Sequence, residues 1–327
     1  MRRALLRIAP VLHLTRVTTA FAVVANTWFV ILWTRANAEH EPGVAALPGP
    51  LAVTLLAGAL VALGLFVFGS ALNDILDVKR DRMLHPERPL ASGELSREGA
   101  VAMVVLAATA AVLGATAFGI PAVLLTLMLI LAILLFNAAG KFIPAIGLVV
   151  LGLIYGGHMA VPNVGLRFLW PVWFVMTHAL AVGLLTHRMA RKVPRLSRRA
   201  LIAAVGGWVF WSAVLFVIQW RRGGGDGTLW PAWVNPWGIV WPLLVAAAFA
   251  LVVWDRVRRY GYTGRAADKI GRYGALWLGL YACSWLIGDG HWGEALLLAG
   301  LAAAGFLGMT VLRELYGLVE EPMRYRR

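Results

Sequence analysis

Acidic side chains are scarce in this sequence and unevenly placed. The chain has 16 Asp and Glu against 30 Lys and Arg, and charged residues make up only 14% of it. No acid occurs between Glu98 and Asp226. Soluble domains carry about 25% charged residues, so this shortage excludes an ordinary water-exposed surface. With 60% hydrophobic residues, the chain is expected to be an integral membrane protein.

Cysteine is nearly absent as well. Cys283 is the single one, which excludes an internal disulfide, and its apolar neighbours predict a packed small side chain. The sequence has no paired His or Cys spacing typical of zinc or haem sites. It also has no glycine-rich loop typical of nucleotide hydrolases.

Long apolar runs, in contrast, are abundant. They predict an all-α, polytopic transmembrane helical bundle of nine to ten spans, and residues 1–327 are expected to form a single membrane domain. The last run is a possible extra C-terminal span. The runs lie at roughly 17–33, 52–72, 99–118, 121–137, 143–161, 169–186, 200–219, 237–254, 273–288 and 294–312.

The net charge of +14 follows the predicted topology. With these spans, 26 of the 30 Lys and Arg fall on the side that holds the N-terminus. The positive-inside rule then assigns both termini to the cytoplasm. The expected location is a prokaryotic cytoplasmic membrane. Membrane lipid is the expected environment, and nucleic acid is not an expected partner. A secretory signal peptide is not expected at the N-terminus. The run at 17–33 is long for a signal core, and residues 1–16 resemble an interfacial amphipathic helix.

Three aspartates follow the second apolar run, in "NDILDVKRDRMLHPERPLASG" at 73–93. If the helix continues past the membrane surface, Asp74, Asp77 and Asp81 fall on one stripe, bordered by Asn73. Carboxylates that repel one another favour a cation between them, and their hard oxygens suit Mg²⁺ together with phosphate oxygens. The alternative is a solvated helix face paired with neighbouring basic residues.

These residues resemble the first aspartate motif, NDxxDxxxD with a downstream RPxxSG, of the UbiA superfamily of intramembrane prenyltransferases. Arg16 before the first span and Lys141 in "FNAAGKFIP" agree with the family at coarser grain, and the resemblance covers roughly 12–290. It implies a helical bundle, usually of nine spans, in which Mg²⁺ and two aspartate motifs hold an isoprenyl diphosphate. The prenyl group then passes to a lipophilic acceptor, and an aromatic quinone precursor is the expected one here.

The resemblance assigns roles to individual residues. Asp74, Asp77 and Asp81 would be the catalytic metal ligands, with Asn73 assisting. Diphosphate contacts are expected from Arg16, Arg88, Lys141, Arg188, Arg191 and Lys192.

The second aspartate motif of the family is missing. The loop where it belongs reads "LLTHRMARKVPRLSRRA" at 184–200 and contains no acid. In one explanation a single Mg²⁺ suffices and the arginines contact the diphosphate directly. In a second, the protein is a divergent relative that binds a polyprenyl or lipid phosphate without transfer, or acts on a different phosphorylated partner; a transporter is the rival class. In a third, Asp268 supplies the missing carboxylate.

Polar residues inside the predicted spans are also candidates. His158 and His178 are expected either to line a cavity or to bond a neighbouring helix, as is Asn26. Gly152 and Gly156, four residues apart, predict close helix packing.

Overall fold

The computed structural model describes residues 17–44, 48–223 and 229–320. Within these ranges the secondary structure is entirely helical, which confirms the all-α prediction. The α-helices are α1 Val17–Ala36, α2 Leu51–Leu84, α3 Pro89–Ser92, α4 Arg97–Thr116, α5 Ile120–Ala138, α6 Pro144–Ala160, α7 Trp170–Met189, α8 Arg198–Arg222, α9 Val240–Tyr260, α10 Gly264–Gly288 and α11 Trp292–Glu320.

Six of the described helices are long and apolar enough to cross a membrane: α2, α4, α5, α6, α8 and α9, with α6 and α9 counted together with adjoining 3₁₀ turns. Apolar parts of α1 and α11 are shorter. The expected nine to ten spans are therefore not confirmed. Helices α7 and α10 carry charged residues at one end and polar side chains along their length, which lowers their hydropathy.

Helix α1 is central to the bundle. It packs against α2, α6, α10 and α11, while α7 lies between α6 and α10. Helices α4, α8 and α9 pack outside this group, against α2, α6 and α10 respectively. The last helix, α11, is not a detached addition, because it packs on both α1 and α10.

Close helix contacts depend on glycine. A Cβ built at Gly64 of α2 would lie 2.6 Å from the Ala107 carbonyl oxygen of α4. Gly152 of α6 would meet the Met176 carbonyl oxygen of α7 at 2.9 Å, as the four-residue spacing predicts. Without side chains at these positions, the backbones approach closely and dispersion contacts increase.

The two ends of the bundle differ in content. At the aromatic end, where α1 ends and α2 begins, buried rings pack in series. Phe29 lies 5.7 Å from Trp33, Trp33 lies 5.1 Å from Phe168, and Phe168 lies 5.4 Å from Trp285. At the aspartate end, where α2 ends and α3 begins, charged side chains replace the rings.

Candidate functional site

Helix α2 carries all three aspartates on its last turns. It runs unbroken over 34 residues, so it continues well past the roughly 20 that a bilayer core requires. It stops at Leu84, where the backbone turns before Pro86. Asp74 and Asp81 are buried and Asp77 is half-buried. The continued helix confirms the geometric premise on which the aspartate stripe was predicted.

Arg88 bridges two of the carboxylates. Its Nη1 lies 2.7 Å from Asp81 Oδ2 and 3.6 Å from Asp74 Oδ1. Arg88 directly precedes the one-turn helix α3, Pro89–Ser92, which packs against α2 and is followed by Gly93 with a positive φ of 82°. Glycine adopts this conformation without strain. The "RPLASG" segment is thus the turn that holds a guanidinium between Asp74 and Asp81.

Lys141 forms an ion pair with the third carboxylate, that of Asp77. It lies on a short 3₁₀ turn, Gly140–Phe142, between α5 and α6. Its Nζ is 2.8 Å from both carboxylate oxygens of Asp77 and 3.1 Å from Asn73 Oδ1. The ammonium donates to three oxygens from one helix, which is an oxygen environment suited to a cation.

Five charged groups therefore form one cluster, which we call the aspartate cluster: Asp74, Asp77, Asp81, Arg88 and Lys141. Three negative and two positive charges leave one net negative charge. The described residues contain no group of three His, Cys, Asp or Glu arranged to hold a metal ion. Arg88 is shared by Asp74 and Asp81, and Lys141 pairs with Asp77.

The donor chemistry of the cluster fits Mg²⁺ all the same. Mg²⁺ prefers hard oxygen ligands and is usually bound by one or two carboxylates with phosphate oxygens and water completing the shell. It therefore does not require a preformed three-carboxylate cage. Asp74, Asp77 and Asp81 are the residues that would hold it.

The basic loop after α7 is separate from these contacts. Arg188 and Arg191 are exposed, and within the described part of the chain no hydrogen bond or ion pair joins either of them to the three aspartates. Lys192 is exposed too. Arg16, the remaining expected contact, lies outside the described residues. The structure thus brings together Asn73, Arg88 and Lys141 with the aspartates, but not Arg188 or Arg191.

Asp268 lies at the same end of the bundle on another helix. It is exposed on the second turn of α10, whose neighbouring residues Ala267 and Ile270 pack beside Met189 of α7. The acid is therefore close to the end of α7, where the family motif is missing. No ion pair engages it in the described part of the chain.

Sequence reasoning missed a buried acid at the aromatic end. Glu41 accepts hydrogen bonds from the backbone N–H groups of Arg167 and Phe168, at 2.7 and 3.2 Å, and from Trp33 Nε1 at 3.2 Å. Burial raises the pKa of Glu41, although these hydrogen bonds oppose the shift. Its local sequence, "AEHEPG" at 38–43, gave no signal of this, because its partners Arg167 and Phe168 are distant in sequence.

A surface cavity of about 750 Å³ also lies at the aromatic end, away from the aspartate cluster. His291 and Asp289, two of its lining residues, are 3.2 Å apart. The hydrogen bond to Asp289 raises the pKa of His291. The charged groups of this pair satisfy each other, which is the pattern of a structural contact.

Both intramembrane histidines bond neighbouring helices. His178 Nε2 is 2.9 Å from the Gly274 carbonyl oxygen, and the Tyr281 hydroxyl is 3.2 Å from its Nδ1. His158 Nε2 is 3.2 Å from the Ala62 carbonyl oxygen. Of the two expectations, hydrogen bonding between helices is the one observed.

The fold and the cluster define a class: a membrane-embedded helical bundle with an acidic and basic cluster at one end. The model of the UbiA prenyltransferase family matches residues 28–268. The chain belongs to the UbiA prenyltransferase family, as its aspartate motif indicated.

Two solved structures share the fold, with TM-scores above 0.5. The structure of a digeranylgeranylglyceryl phosphate synthase is similar with a TM-score of 0.52 at 16% identity, over 86% of this chain and 98% of that one. A UbiA homologue from Archaeoglobus fulgidus gives 0.53 at 13%, over 86% and 99%. A structure of a homologue from that organism bound to GPP and Mg²⁺ gives 0.45 at 13%, over 91% and 99%. No curated protein sequence matches.

Proposed function

We propose that this protein transfers a prenyl group from an isoprenyl diphosphate to a lipophilic, aromatic acceptor within the membrane. The observation that carries the proposal is the aspartate cluster at the end of a bundle that belongs to the UbiA family. The proposal includes the orientation in which this end faces the cytoplasm, supported by the distribution of Lys and Arg.

Arg88 and Lys141 would change partners when the donor binds. Both cations now neutralise buried or half-buried carboxylates at 2.7 to 2.8 Å. A diphosphate brings negative charge, and Mg²⁺ brings positive charge to the same carboxylates. The guanidinium and the ammonium are then free to donate to phosphate oxygens, for which both side chains are suited. Carboxylates and cations thus exchange partners without leaving an unpaired buried charge.

The chemistry needs stabilisation of the leaving diphosphate. The allylic C–O bond breaks heterolytically, its electron pair leaves with the diphosphate, and the acceptor forms the new bond to carbon and loses a proton. Bound Mg²⁺ would neutralise charge on the diphosphate. Arg88 and Lys141 add donors fixed close to the same oxygens, and the apolar bundle keeps water from the reactive carbon.

Arg88 and Lys141 would compensate for the missing second aspartate motif. Two side-chain cations already stand within the cluster, so less metal charge is required than in a site built from two acidic motifs. This favours the single-metal explanation, with Arg88 and Lys141 as its principal cations. Arg188, Arg191 and Lys192 are exposed on a loop at the same end and remain proposed outer contacts.

The test is a titration of the purified, detergent-solubilised protein with geranyl diphosphate and farnesyl diphosphate, with and without Mg²⁺. Binding and diphosphate release are followed in the wild type and in Asp77→Asn. We expect Mg²⁺-dependent binding that is lost in Asp77→Asn, together with diphosphate release when an aromatic acceptor is present. Binding without release across aromatic acceptors would indicate a non-catalytic binding protein. No binding at all would mean that the cluster is a structural network of ion pairs.

A further inference from the structure

The aspartate end of the bundle divides into two halves of different charge. In the first half, segment 73–98 carries six acids and five cations, and Lys141 adds a sixth cation, so these charges cancel. In the second half, segments 186–199 and 255–272 together carry twelve cations and two acids, which leaves a net charge of +10. The positive-inside rule concerns the side of the membrane and requires no such difference within one end.

The two basic segments are neighbours in space. Met189 at the end of α7 is buried together with Ala266 and Ile270 at the start of α10. Val257 and Tyr260, on the last turn of α9, pack against the same cluster. The α7–α8 loop and the α9–α10 loop therefore leave the bundle side by side. We call their twelve cations the basic face.

The basic face has two sides. On the α7–α8 side, all of its cations are exposed: Arg188, Arg191, Lys192, Arg195, Arg198 and Arg199. On the α9–α10 side, they are exposed or half-buried: Arg256, Arg258, Arg259, Arg265, Lys269 and Arg272. The positive charge of both sides is thus at the surface, within reach of a ligand outside the protein.

Aromatic rings hold part of the α9–α10 side in place. The Arg258 guanidinium lies 5.6 Å from the centre of the Trp254 ring. Lys269 Nζ lies 4.2 Å from the centre of the Tyr260 ring. A ring face orients a cation without cancelling its charge. Of the two acids, Asp255 pairs with neighbours on its own helix, at 2.7 and 3.6 Å, so most of the charge of the basic face stays available to an anion.

The basic face lies at the ends of the two most exposed spans. In α8 and in α9, only 11% of the residues of the apolar segment are buried, so lipid covers most of their surface. Trp254 and Tyr262 are exposed among the cations, and such rings are typical of the headgroup region of a bilayer. The cations beside them are therefore at the depth of the lipid phosphates.

We propose that the basic face is a docking surface for anionic phospholipids, whose phosphate groups its arginines contact. Guanidinium groups match phosphate oxygens in pairs of hydrogen bonds, and a cluster of basic residues at the membrane surface attracts anionic headgroups. An acidic soluble protein is the disfavoured occupant, because the exposed rings and the lipid-covered helices adjoin the same cations. Lipid docking goes beyond prenyl transfer and requires no turnover.

The test measures the lipid selectivity of the purified protein reconstituted in phosphatidylcholine bilayers. Spin-labelled phosphatidylglycerol and spin-labelled phosphatidylcholine are compared, and electron spin resonance gives the fraction of each that the protein immobilises. We expect phosphatidylglycerol to be preferred about threefold at low salt. At 1 M salt, where the screening length is about 3 Å, the preference should fall to about 1.5-fold or less.

Two matched variants locate the preference. The first, which should lose most of it, removes four exposed cations of the basic face: Arg198→Gln, Arg199→Gln, Arg258→Gln and Arg265→Gln. The control, which should keep it, removes four exposed cations of the first half: Lys79→Gln, Arg80→Gln, Arg82→Gln and Arg97→Gln. Both variants change the net charge equally. Arg188, Arg191 and Lys192 stay in place because they are proposed diphosphate contacts.

The outcomes are decisive in both directions. No preference in the wild type, or equal losses in the two variants, would overturn the docking surface. Release of the spin-labelled phosphatidylglycerol by stoichiometric inorganic diphosphate would also overturn it, because the basic face would then bind a soluble phosphate ligand. If the fourfold variant does not fold, Arg198→Gln combined with Arg199→Gln should give an intermediate preference, and an unchanged one would contradict the proposal.

Discussion

The two ends of the bundle neutralise buried carboxylates in different ways. At the aspartate end, Asp77 and Asp81 are held by the flexible side chains of Lys141 and Arg88. At the aromatic end, Glu41 is held by two backbone N–H groups and an indole. A side-chain cation can turn to another partner at small cost, whereas a backbone amide cannot. Carboxylates that can be released are suited to ligand binding, and those that cannot are suited to structure.

The largest expected effect is the loss of diphosphate release when a carboxylate at the aspartate end is replaced. In Asp77→Asn, diphosphate release should fall about 10²- to 10³-fold, because a charge acting on the reacting group is lost. The thermal midpoint should change little, since Lys141 keeps Asn73 as a partner. Glu94→Gln, an exposed acid at the same end, is the matched control and should keep wild-type activity. A large fall in thermal midpoint in Asp77→Asn would remove the contrast between the ends.

Glu41→Ala, at the aromatic end, should lower stability and leave diphosphate release unchanged. It leaves two backbone donors and Trp33 Nε1 without their acceptor, and we expect a loss of about 3–5 kcal/mol in the free energy of unfolding. Diphosphate release per folded molecule should stay near the wild-type value. Thermal denaturation followed by tryptophan fluorescence measures the first quantity. Glu39→Ala, an exposed acid two residues away, is the control, and an equal effect there would contradict the assignment.

Two arginines at the aspartate end, Arg88 and Arg188, should contribute differently to the affinity for the prenyl diphosphate. Arg88→Ala leaves Asp74 and Asp81 without their shared cation, so donor affinity should weaken about tenfold. Arg188→Ala removes an exposed side chain outside the cluster and should weaken affinity less than about threefold. Isothermal titration with farnesyl diphosphate compares the two variants directly. Equal losses would assign the diphosphate to the α7–α8 loop as much as to the cluster.

The smallest expected effect concerns pH at the aromatic end. Since the folded pKa of His291 is raised above its ordinary value of 6.5, the protonated form stabilises the fold. That stability is fully present below pH 6.5 and is lost as pH rises through the folded pKa. Thermal midpoints of wild type and His291→Asn, measured from pH 5 to 8, should converge on the alkaline side. Parallel curves would exclude this contribution.

Local sequence patterns predicted what lies within one helix. The i, i+3, i+7 spacing of Asp74, Asp77 and Asp81 requires only that α2 continues, and α2 does continue to Leu84. Gly152 and Gly156 likewise predicted close helix packing, and Gly152 meets α7. Each of these features depends on residues near in sequence or on backbone approach at small side chains.

Contacts between distant residues were not predictable in the same way. Lys141 lies 64 residues from Asp77, and nothing in "FNAAGKFIP" indicates which oxygens its ammonium will contact. Glu41 and Arg167 are 126 residues apart. Such pairs depend on how α5, α6 and α7 pack. The nine to ten spans are not confirmed, because only six of the described helices meet the length and hydropathy of a span. Helices α7 and α10 read as apolar runs in the sequence but carry polar groups such as His178 and Tyr281, which bond each other.

The unbroken length of α2 has a consequence for how the chain can vary. Gly64 fixes the phase of the helix against α4, and Asp74 lies ten residues further along the same rod. One inserted residue between them would rotate every carboxylate by about 100°, and four would nearly restore the original bearing. The number of residues between Gly64 and Asp74 therefore sets the direction in which the carboxylates point. Insertions or deletions in this segment are expected to be tolerated only in near-whole helical turns.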